Sequence, residues 1–110
     1  MESESKYKIS YFGPLRSFIG LMFQIPKKDH IYILDMKKDI DDGFVHTFFC
    51  IKPLDIYLYN SNLELVSYKK NMKQFSILLP KKPFRYIIEG INLDKNKINF
   101  ALSNLSNSIR

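Results

Sequence analysis

Apolar and polar side chains alternate in several short stretches of the chain, which is typical of strands with one buried face. In residues 6–12, for example, Tyr7, Ile9 and Tyr11 fall on one face. Alternation of this kind, or a short apolar run, predicts strands at residues 31–34, 44–51, 54–59, 63–68, 74–79 and 84–89. Residues 97–102 are predicted to form a last strand or a turn.

One stretch near the N-terminus has helical rather than strand spacing. Leu15, Ile19 and Met22 recur at intervals of three and four residues, and Pro14 suits the first turn of a helix. The sequence therefore predicts one short helix over residues 14–22.

Polar segments separate these elements. Residues 36–43 hold two lysines and three aspartates and end in Asp42-Gly43, which predicts an exposed loop. The cluster Asn60-Ser61-Asn62 predicts the turn of a hairpin over residues 54–68. Residues 103–110 are polar with weak periodicity, so we expect a frayed tail or a short helix there.

Together these elements predict a mainly β fold, a compact antiparallel β-sandwich or barrel-like domain with one short helix. A length of 110 residues fits a single domain covering residues 1–110. We expect its core within residues 7–102 and flexible ends at residues 1–5 and 103–110.

Composition narrows the class of protein. Hydrophobic residues make up 45% and aromatic residues 15% of the chain, which argues against disorder. The lone cysteine, Cys50, lies in an apolar run and is predicted to be a small buried hydrophobe. The first residues lack the pattern of a secretory signal, and no apolar run is long enough to span a membrane. We therefore expect a cytoplasmic protein without membrane contact.

Charge is distributed unevenly along the chain. The net charge of +6 arises from residues 56–110, which carry nine basic and three acidic residues. Between residues 69 and 85 no acid interrupts the basic residues, which are Lys69, Lys70, Lys73, Lys81, Lys82 and Arg85. Aromatic residues interleave with them, a pattern compatible with nucleic-acid binding. A solvated lysine face explains the same pattern and is the favoured interpretation.

Several polar residues interrupt apolar strands and are candidates for a ligand site. They are His46 and Thr47 in one strand, Asp55 in the next, and Glu89 in another. Buried polar groups need hydrogen-bond partners. The carboxylates could pair with backbone amides, with Arg16 or with Lys52. Alternatively, Arg16 and His46 could donate hydrogen bonds in a shared pocket in which the carboxylates orient them.

Familiar catalytic and cofactor motifs are absent from the sequence. There is no glycine-rich phosphate loop, no zinc-ligand spacing and no Gly-x-Ser-x-Gly motif. We therefore expect no cofactor and no metal site, and we favour a non-enzymatic module that binds a small ligand or a protein partner. Two alternatives stay open: a nucleic-acid-binding domain using residues 69–85, and a small hydrolase or lyase with His46 as base and Asp55 as its orienter.

Three segments of the chain resemble one family in order and spacing. Residues 16–23, with Arg16 ahead of Gly-Leu-Met-Phe, resemble a helix of that family. Residues 46–56 begin His-Thr-Phe-Phe and continue to Pro-Leu-Asp, and residues 86–89 read Tyr-Ile-Ile-Glu. In these features the chain resembles the domain of unknown function 192 (DUF192) over roughly residues 7–93.

The sequence departs from that family at two points. Cys50 stands where the family usually has methionine, and Lys95-Asn96-Lys97 stands where the family has a closing Gly-Asp element. The resemblance implies a compact, mostly β sandwich or barrel with a short helix. It implies no established activity.

Overall fold

The computed structural model describes residues 7–12, 27–41, 45–46, 53–73 and 77–109. These residues form seven strands and one helix. The strands are β1 (Lys8–Phe12), β2 (His30–Ile40), β3 (Val45–His46), β4 (Leu54–Tyr59), β5 (Leu65–Met72), β6 (Ile77–Leu78) and β7 (Phe84–Gly90), and the helix is α1 (Lys95–Ile109).

Most of the described chain belongs to one five-stranded sheet with the order β1-β2-β7-β4-β5. Strands β3 and β6 form a separate antiparallel ribbon. The predicted mainly β fold and the β4–β5 hairpin are confirmed. The sheet is mixed rather than wholly antiparallel, because β1 pairs with β2 in parallel. The long connection between Phe12 and His30 allows this pairing, since parallel neighbours need a crossover of about a dozen residues or more.

Strand β2 continues well beyond its predicted end at Leu34. The prediction of a loop from residue 36 is wrong for residues 36–40, which stay in the strand. The register with β7 shifts between Asp35 and Ile40, and Lys37 has a φ of 71°. A bulge therefore interrupts the alternation, and its exposed lysines gave the segment the composition of a loop.

The sheet has an apolar cluster on each face. One cluster is built on Tyr32, Leu34, Leu54, Ile56, Leu58, Met72, Phe84 and Ile87, and we call this side the Ile56 face. The other is built on Ile31, Ile33, Tyr59, Tyr86, Ile88 and Leu93 together with Ile98, Ala101 and Leu105 of α1, and we call this side the helix face. The period of two in a strand assigns alternate residues to the two faces.

The C-terminal helix corrects one prediction and decides between two alternatives. Residues 97–102 are neither strand nor turn, and residues 103–109, expected to be a frayed tail or a short helix, are helical. Asp94 begins the helix, because its Oδ1 accepts a hydrogen bond from Lys97 N at 2.9 Å. Ile98, Ala101 and Leu105, at helical spacing, are buried on the sheet.

Other predictions fall outside the described residues. These are the helix at residues 14–22 with its apolar stripe, the strand residues 47–51, and Cys50. Among the residues that the structure describes, no helix is long and apolar enough to span a membrane.

Candidate functional site

Glu89 is a buried carboxyl in an apolar part of the sheet. It lies on the central strand β7, opposite Tyr32 of β2 and Ile56 of β4. Its exposed fraction is 6%. Glu89 is two residues from Ile87, so it belongs to the Ile56 face. Burial raises the pKa of Glu89 from 4.5 to about 7.

No hydrogen bond or ion pair to the Glu89 carboxyl is formed by the residues that the structure describes. Desolvation is also the sole cause of its raised pKa. A buried polar group without a partner is costly and calls for an explanation. Residues outside the described ranges, an ordered water or a ligand could supply that partner.

The β3–β6 ribbon lies on the same side of the sheet as Glu89. Leu78 of β6 packs against the cluster of the Ile56 face. His46 of β3 pairs with Ile77 of β6, so the backbone of His46 is on that side too. Arg16 and Thr47 lie outside the described residues.

Asp55 lies on the opposite face from Glu89. It pairs with Gly90, whereas the next residue, Ile56, pairs with Glu89. Asp55 as a whole residue is 5% exposed. Its Oδ1 accepts a hydrogen bond from Asn71 N at 2.7 Å, and its Oδ2 accepts one from Leu93 N at 2.8 Å. The structure thus separates two carboxylates that the sequence placed in one candidate site.

The two carboxylate oxygens of Asp55 hold two irregular stretches of backbone in place. Asn71 has a φ of 57°, next to a register shift between β4 and β5. Leu93 belongs to the turn that leads into α1. Lys70 Nζ lies 3.5 Å from Asp55 Oδ2 and donates to Leu93 O at 3.4 Å. Asp55 therefore ties the end of the hairpin to the start of the helix.

A serine–histidine pair that the sequence reasoning missed lies at the β1–β2 edge. Ser10 Oγ and His30 Nε2 are 2.6 Å apart. The His30 ring stacks on the Tyr32 ring at a centroid distance of 4.6 Å. Burial, with help from Lys27 and Lys8, lowers the pKa of His30. Alternation puts His30 on the face of Tyr32, so its imidazole flanks the Glu89 side of the sheet. The sequence signal that could have drawn attention to His30 was its neighbouring lysines rather than a strand motif.

The basic segment does not form one patch. Lys69 lies at the level of Ile56 and Glu89, whereas Lys82 precedes the first residue of β7. Glu89 and Phe84, the first residue of β7, are already roughly 16 Å apart at ~3.3 Å per residue, and Lys82 lies beyond Phe84. Lys69, Lys70, Lys81 and Lys82 are exposed. Arg85 is bound to Asp35 instead, with Nε–Oδ1 and Nη2–Oδ2 distances of 2.8 and 3.3 Å.

Lys97 is a second residue whose environment the sequence did not predict. Its exposed fraction is 5%. Its Nζ donates to Lys28 O at 2.8 Å and to Ile91 O at 3.0 Å. The ammonium therefore joins the start of α1 to the turns before β2 and after β7. Its lysine neighbours in the sequence gave no sign of this burial.

Relatives of the chain are found among curated proteins. The UPF0127 protein PF1050 of Pyrococcus furiosus is 34% identical over 76 residues, which are 69% of this chain and 64% of that protein. The UPF0127 protein PH1112 of Pyrococcus horikoshii is 36% identical in an alignment of 95 residues, with coverage of 80% of this chain and 80% of that protein. The chain belongs to the UPF0127 family. No protein-family profile matches it.

Solved structures share the fold of this UPF0127 chain. One is a Sinorhizobium meliloti protein described as a candidate transcription regulator, with a TM-score of 0.69, 18% identity, and coverage of 83% of this chain and 73% of that one. Another is a Novosphingobium aromaticivorans protein of unknown function, with a TM-score of 0.68, 16% identity, and coverage of 79% and 65%. At these identities the likeness establishes the fold alone.

Metal-ligating side chains do not gather in the described part of this UPF0127 chain. Within residues 7–12, 27–41, 45–46, 53–73 and 77–109, no three His, Cys, Asp or Glu side chains form a group that could hold a metal ion. The Glu89 carboxyl, in apolar surroundings, can form hydrogen bonds and exchange a proton.

Proposed function

We propose that this UPF0127 chain is a non-enzymatic binding module whose ligand site lies on the Ile56 face, with Glu89 at its centre. The observation that supports this is the buried Glu89 carboxyl without a partner in the described chain. The β3–β6 ribbon brings the backbone of His46 to the same side. Arg16, His46 and Thr47 are proposed to complete the polar end of the site.

The surroundings of Glu89 favour one class of ligand. A carboxyl with a pKa of about 7 is largely neutral in mildly acidic solution, where it both donates and accepts hydrogen bonds. The apolar neighbours Tyr32, Ile56 and Ile87 favour an apolar body. The proposed ligand is therefore a small molecule with an aliphatic part and an uncharged amide-like head.

The hydrolase or lyase alternative is less well supported. It needs Asp55 to orient His46 as a base. Both oxygens of Asp55 already accept backbone N–H groups, on the helix face. A structural role for Asp55 explains its burial without catalysis. In this proposal Asp55 supports the fold around the site and does not contact the ligand.

Finer assignments from the sequence also remain proposals. The order and spacing of the three motifs support assigning the chain to DUF192. A single domain over residues 1–110 is supported by the continuous sheet that links β1 to β7. A cytoplasmic location rests on the sequence pattern alone.

Methyl-labelled NMR spectroscopy tests the proposed site. Aliphatic primary amides are titrated into protein labelled at isoleucine methyls. We expect shifts at Ile56 and Ile87, on the Glu89 side, and little change at Ile31 and Ile88, on the helix face. Glu89→Met keeps a side chain of similar length but removes the hydrogen bonds to the amide, and it should weaken amide binding about tenfold, as expected for a loss of about 1.4 kcal/mol.

A matched control uses the exposed Glu64, which bonds to Asn60 Nδ2 in a turn. Glu64→Met should leave amide affinity unchanged. Shifts confined to the helix face, or equal affinity in the Glu89→Met and wild-type proteins, would contradict the proposed site.

A further inference from the structure

Ser10 and His30 lie on the same face of the sheet as Glu89, towards the edge formed by β1. Ser10 pairs with Tyr32 of β2, and Tyr32 pairs with Glu89 of β7. Paired residues point to the same side of a sheet, so these three residues form one row across the Ile56 face. Adjacent strands are ~4.8 Å apart, which puts Ser10 about 10 Å from Glu89. We call this row, together with His30, the polar row.

The polar row runs from an enclosed end to a partly solvated end. Glu89 and Tyr32 are 6% and 4% exposed. Ser10 and His30, at the other end, are half-buried, and Lys8, which pairs with His30, is exposed. Because burial of an unpaired charge is costly, a charged ligand group loses less hydration beside His30 than beside Glu89. A ligand that lies along the row would therefore keep its uncharged head at Glu89 and any charge near His30.

The Ser10–His30 pair has one hydrogen-bond donor left for a ligand. A serine hydroxyl and a neutral imidazole carry one O–H and one N–H hydrogen between them. One of these hydrogens is used where Ser10 Oγ and His30 Nε2 approach to 2.6 Å. If Nε2 carries the proton, the hydroxyl hydrogen is left, and otherwise the Nδ1–H is left. Neither side chain has another hydrogen bond to the residues that the structure describes, so in both tautomers the pair suits an acceptor.

Two lysines add positive charge at this end of the polar row. Lys8 pairs with His30, and Lys27 O accepts a hydrogen bond from His30 N at 3.2 Å. Burial, followed by the charges of Lys27 and Lys8, lowers the pKa of His30. The turn also holds the exposed Asp29, which leaves the two lysines with a net positive charge. The acceptor that fits here is therefore an anionic one.

We propose that the ligand of this module carries a carboxylate at the end opposite its amide head, and that Ser10, His30 and Lys8 bind this carboxylate. The inference rests on the proposed function, because it uses the Glu89 site for the amide. The spare hydrogen of the Ser10–His30 pair is donated to a carboxylate oxygen, and Lys8 supplies the opposite charge. The aliphatic part lies along Tyr32.

The length of the polar row limits the length of the ligand. A chain covers ~3.5 Å with every three bonds, and a hydrogen bond adds about 3 Å at each end. A spacer of roughly four methylenes therefore joins an amide at Glu89 to a carboxylate about 10 Å away at Ser10. The proposed ligand class is the monoamide of an aliphatic dicarboxylic acid.

Two probes that differ at one end test the proposal. Adipamic acid has a primary amide and a carboxylate at the ends of such a chain, and hexanamide has a methyl group in place of the carboxylate. Affinities are measured from the methyl shifts of Ile56 and Ile87 at about pH 6, where adipamate is ionised and Glu89 is largely protonated. We expect wild-type protein to bind adipamate about tenfold more tightly than hexanamide.

Variants at the two edges of the sheet locate the carboxylate. Ser10→Ala and Lys8→Gln should each reduce the preference for adipamate to about threefold or less, with hexanamide affinity within about twofold of wild type. Lys69→Gln is the matched control. Lys69 pairs with Ile56, which pairs with Glu89, so it is an exposed lysine on the same face, two strands from Glu89 on the other side. It should keep the full preference.

The imidazole of His30 reports on the carboxylate directly. A bound anion favours the imidazolium, so adipamate should raise the pKa of His30 in an NMR titration. Hexanamide lacks the charge and should leave the pKa of His30 unchanged. A purely apolar gain in affinity from the longer probe would not produce this difference.

The outcomes separate this inference from the proposed function. Equal affinity for the two probes, with shifts on the Ile56 face, would overturn the carboxylate subsite and leave the Glu89 site standing. The same holds for a preference that survives Ser10→Ala and Lys8→Gln, or one that Lys69→Gln removes equally. Failure of both probes to bind would contradict the proposed function itself, and this inference with it.

Discussion

Asp55 and Glu89 lie on adjacent strands, one register position apart, and their side chains point to opposite faces of the sheet. Asp55 accepts two backbone N–H groups on the helix face. Glu89 has no such partner among the described residues of the Ile56 face. Two buried carboxyls with similar exposure thus have different surroundings, and only Glu89 belongs to the proposed ligand site.

Removing the negative charge of Asp55 should destabilise the fold. Asp55→Asn presents an NH₂ group to a backbone N–H and leaves a buried donor unpaired. We expect the free energy of unfolding to fall by about 2–4 kcal/mol, measured by urea denaturation. Asp39→Asn is the control, because Asp39 accepts one exposed N–H, from Ser61. A loss below about 1 kcal/mol for Asp55→Asn would show that these two hydrogen bonds do not stabilise the fold.

Gly90 permits a close approach between β7 and the turn before α1. A Cβ at this position would lie 2.7 Å from Leu93 Cδ2 and 3.3 Å from His30 O. Because Leu93 is buried and cannot move aside freely, Gly90→Ala should cost about 1–3 kcal/mol of stability. In a Leu93→Ala background, which removes Cδ2, the added cost should shrink. Strict additivity in this double-mutant cycle would contradict the steric explanation.

The buried ammonium of Lys97 should stabilise the junction between sheet and helix. Lys97→Met keeps most of the apolar stem and leaves the carbonyls of Lys28 and Ile91 without their donor. We expect a loss of about 1–3 kcal/mol in denaturant unfolding. The exposed neighbour offers a matched comparison, since Lys95→Met should change stability by less than about 0.5 kcal/mol. Similar small effects in both variants would disprove the structural role of Lys97.

Local patterns predicted the elements whose apolar residues follow one period without interruption. The β4–β5 hairpin is an example, because strict alternation flanks a turn rich in asparagine. Strand β2 was cut short because the bulge at Lys37 breaks the alternation. Only the C-terminal part of helix α1 was predicted, as one of two alternatives, because the residues on either side of Leu102 were assigned to separate elements. The capping residue Asp94 and the spacing of Ile98, Ala101 and Leu105 were the signals that could have revealed it.

The candidate site needed information that a local pattern does not hold. Sequence showed that Asp55 and Glu89 interrupt apolar strands. Which face each occupies depends on the pairing of β4 with β7, and a shift by one residue would exchange the two faces. Ser10 and His30 come together only through the parallel β1–β2 pair.

Glu89 should make stability depend on pH. Its pKa is raised from 4.5 to about 7, so between these values the folded state holds a proton that the unfolded state has released. Stability from this group is complete below pH 4.5 and is lost as the pH rises through about 7. Between pH 4.5 and about 7, the difference in unfolding free energy between wild type and Glu89→Gln should therefore change by roughly 3 kcal/mol, because each pH unit contributes ~1.4 kcal/mol.

Urea denaturation of both proteins at several pH values measures this difference. Glu64→Gln, at an exposed position, should show no comparable trend against wild type. A difference between wild type and Glu89→Gln that stays constant across this pH range would mean that Glu89 is not desolvated in the folded state.

The most direct test of the Glu89 site is a carboxyl ¹³C NMR titration of this residue, with and without a saturating primary amide. Without the amide, the account predicts a midpoint near pH 7. With the amide, the midpoint should rise further, because a ligand that binds the neutral carboxyl must by linkage favour its protonated form. A midpoint at or below 4.5, unchanged by the amide, would show a solvated or internally paired carboxylate and would contradict a ligand site at Glu89.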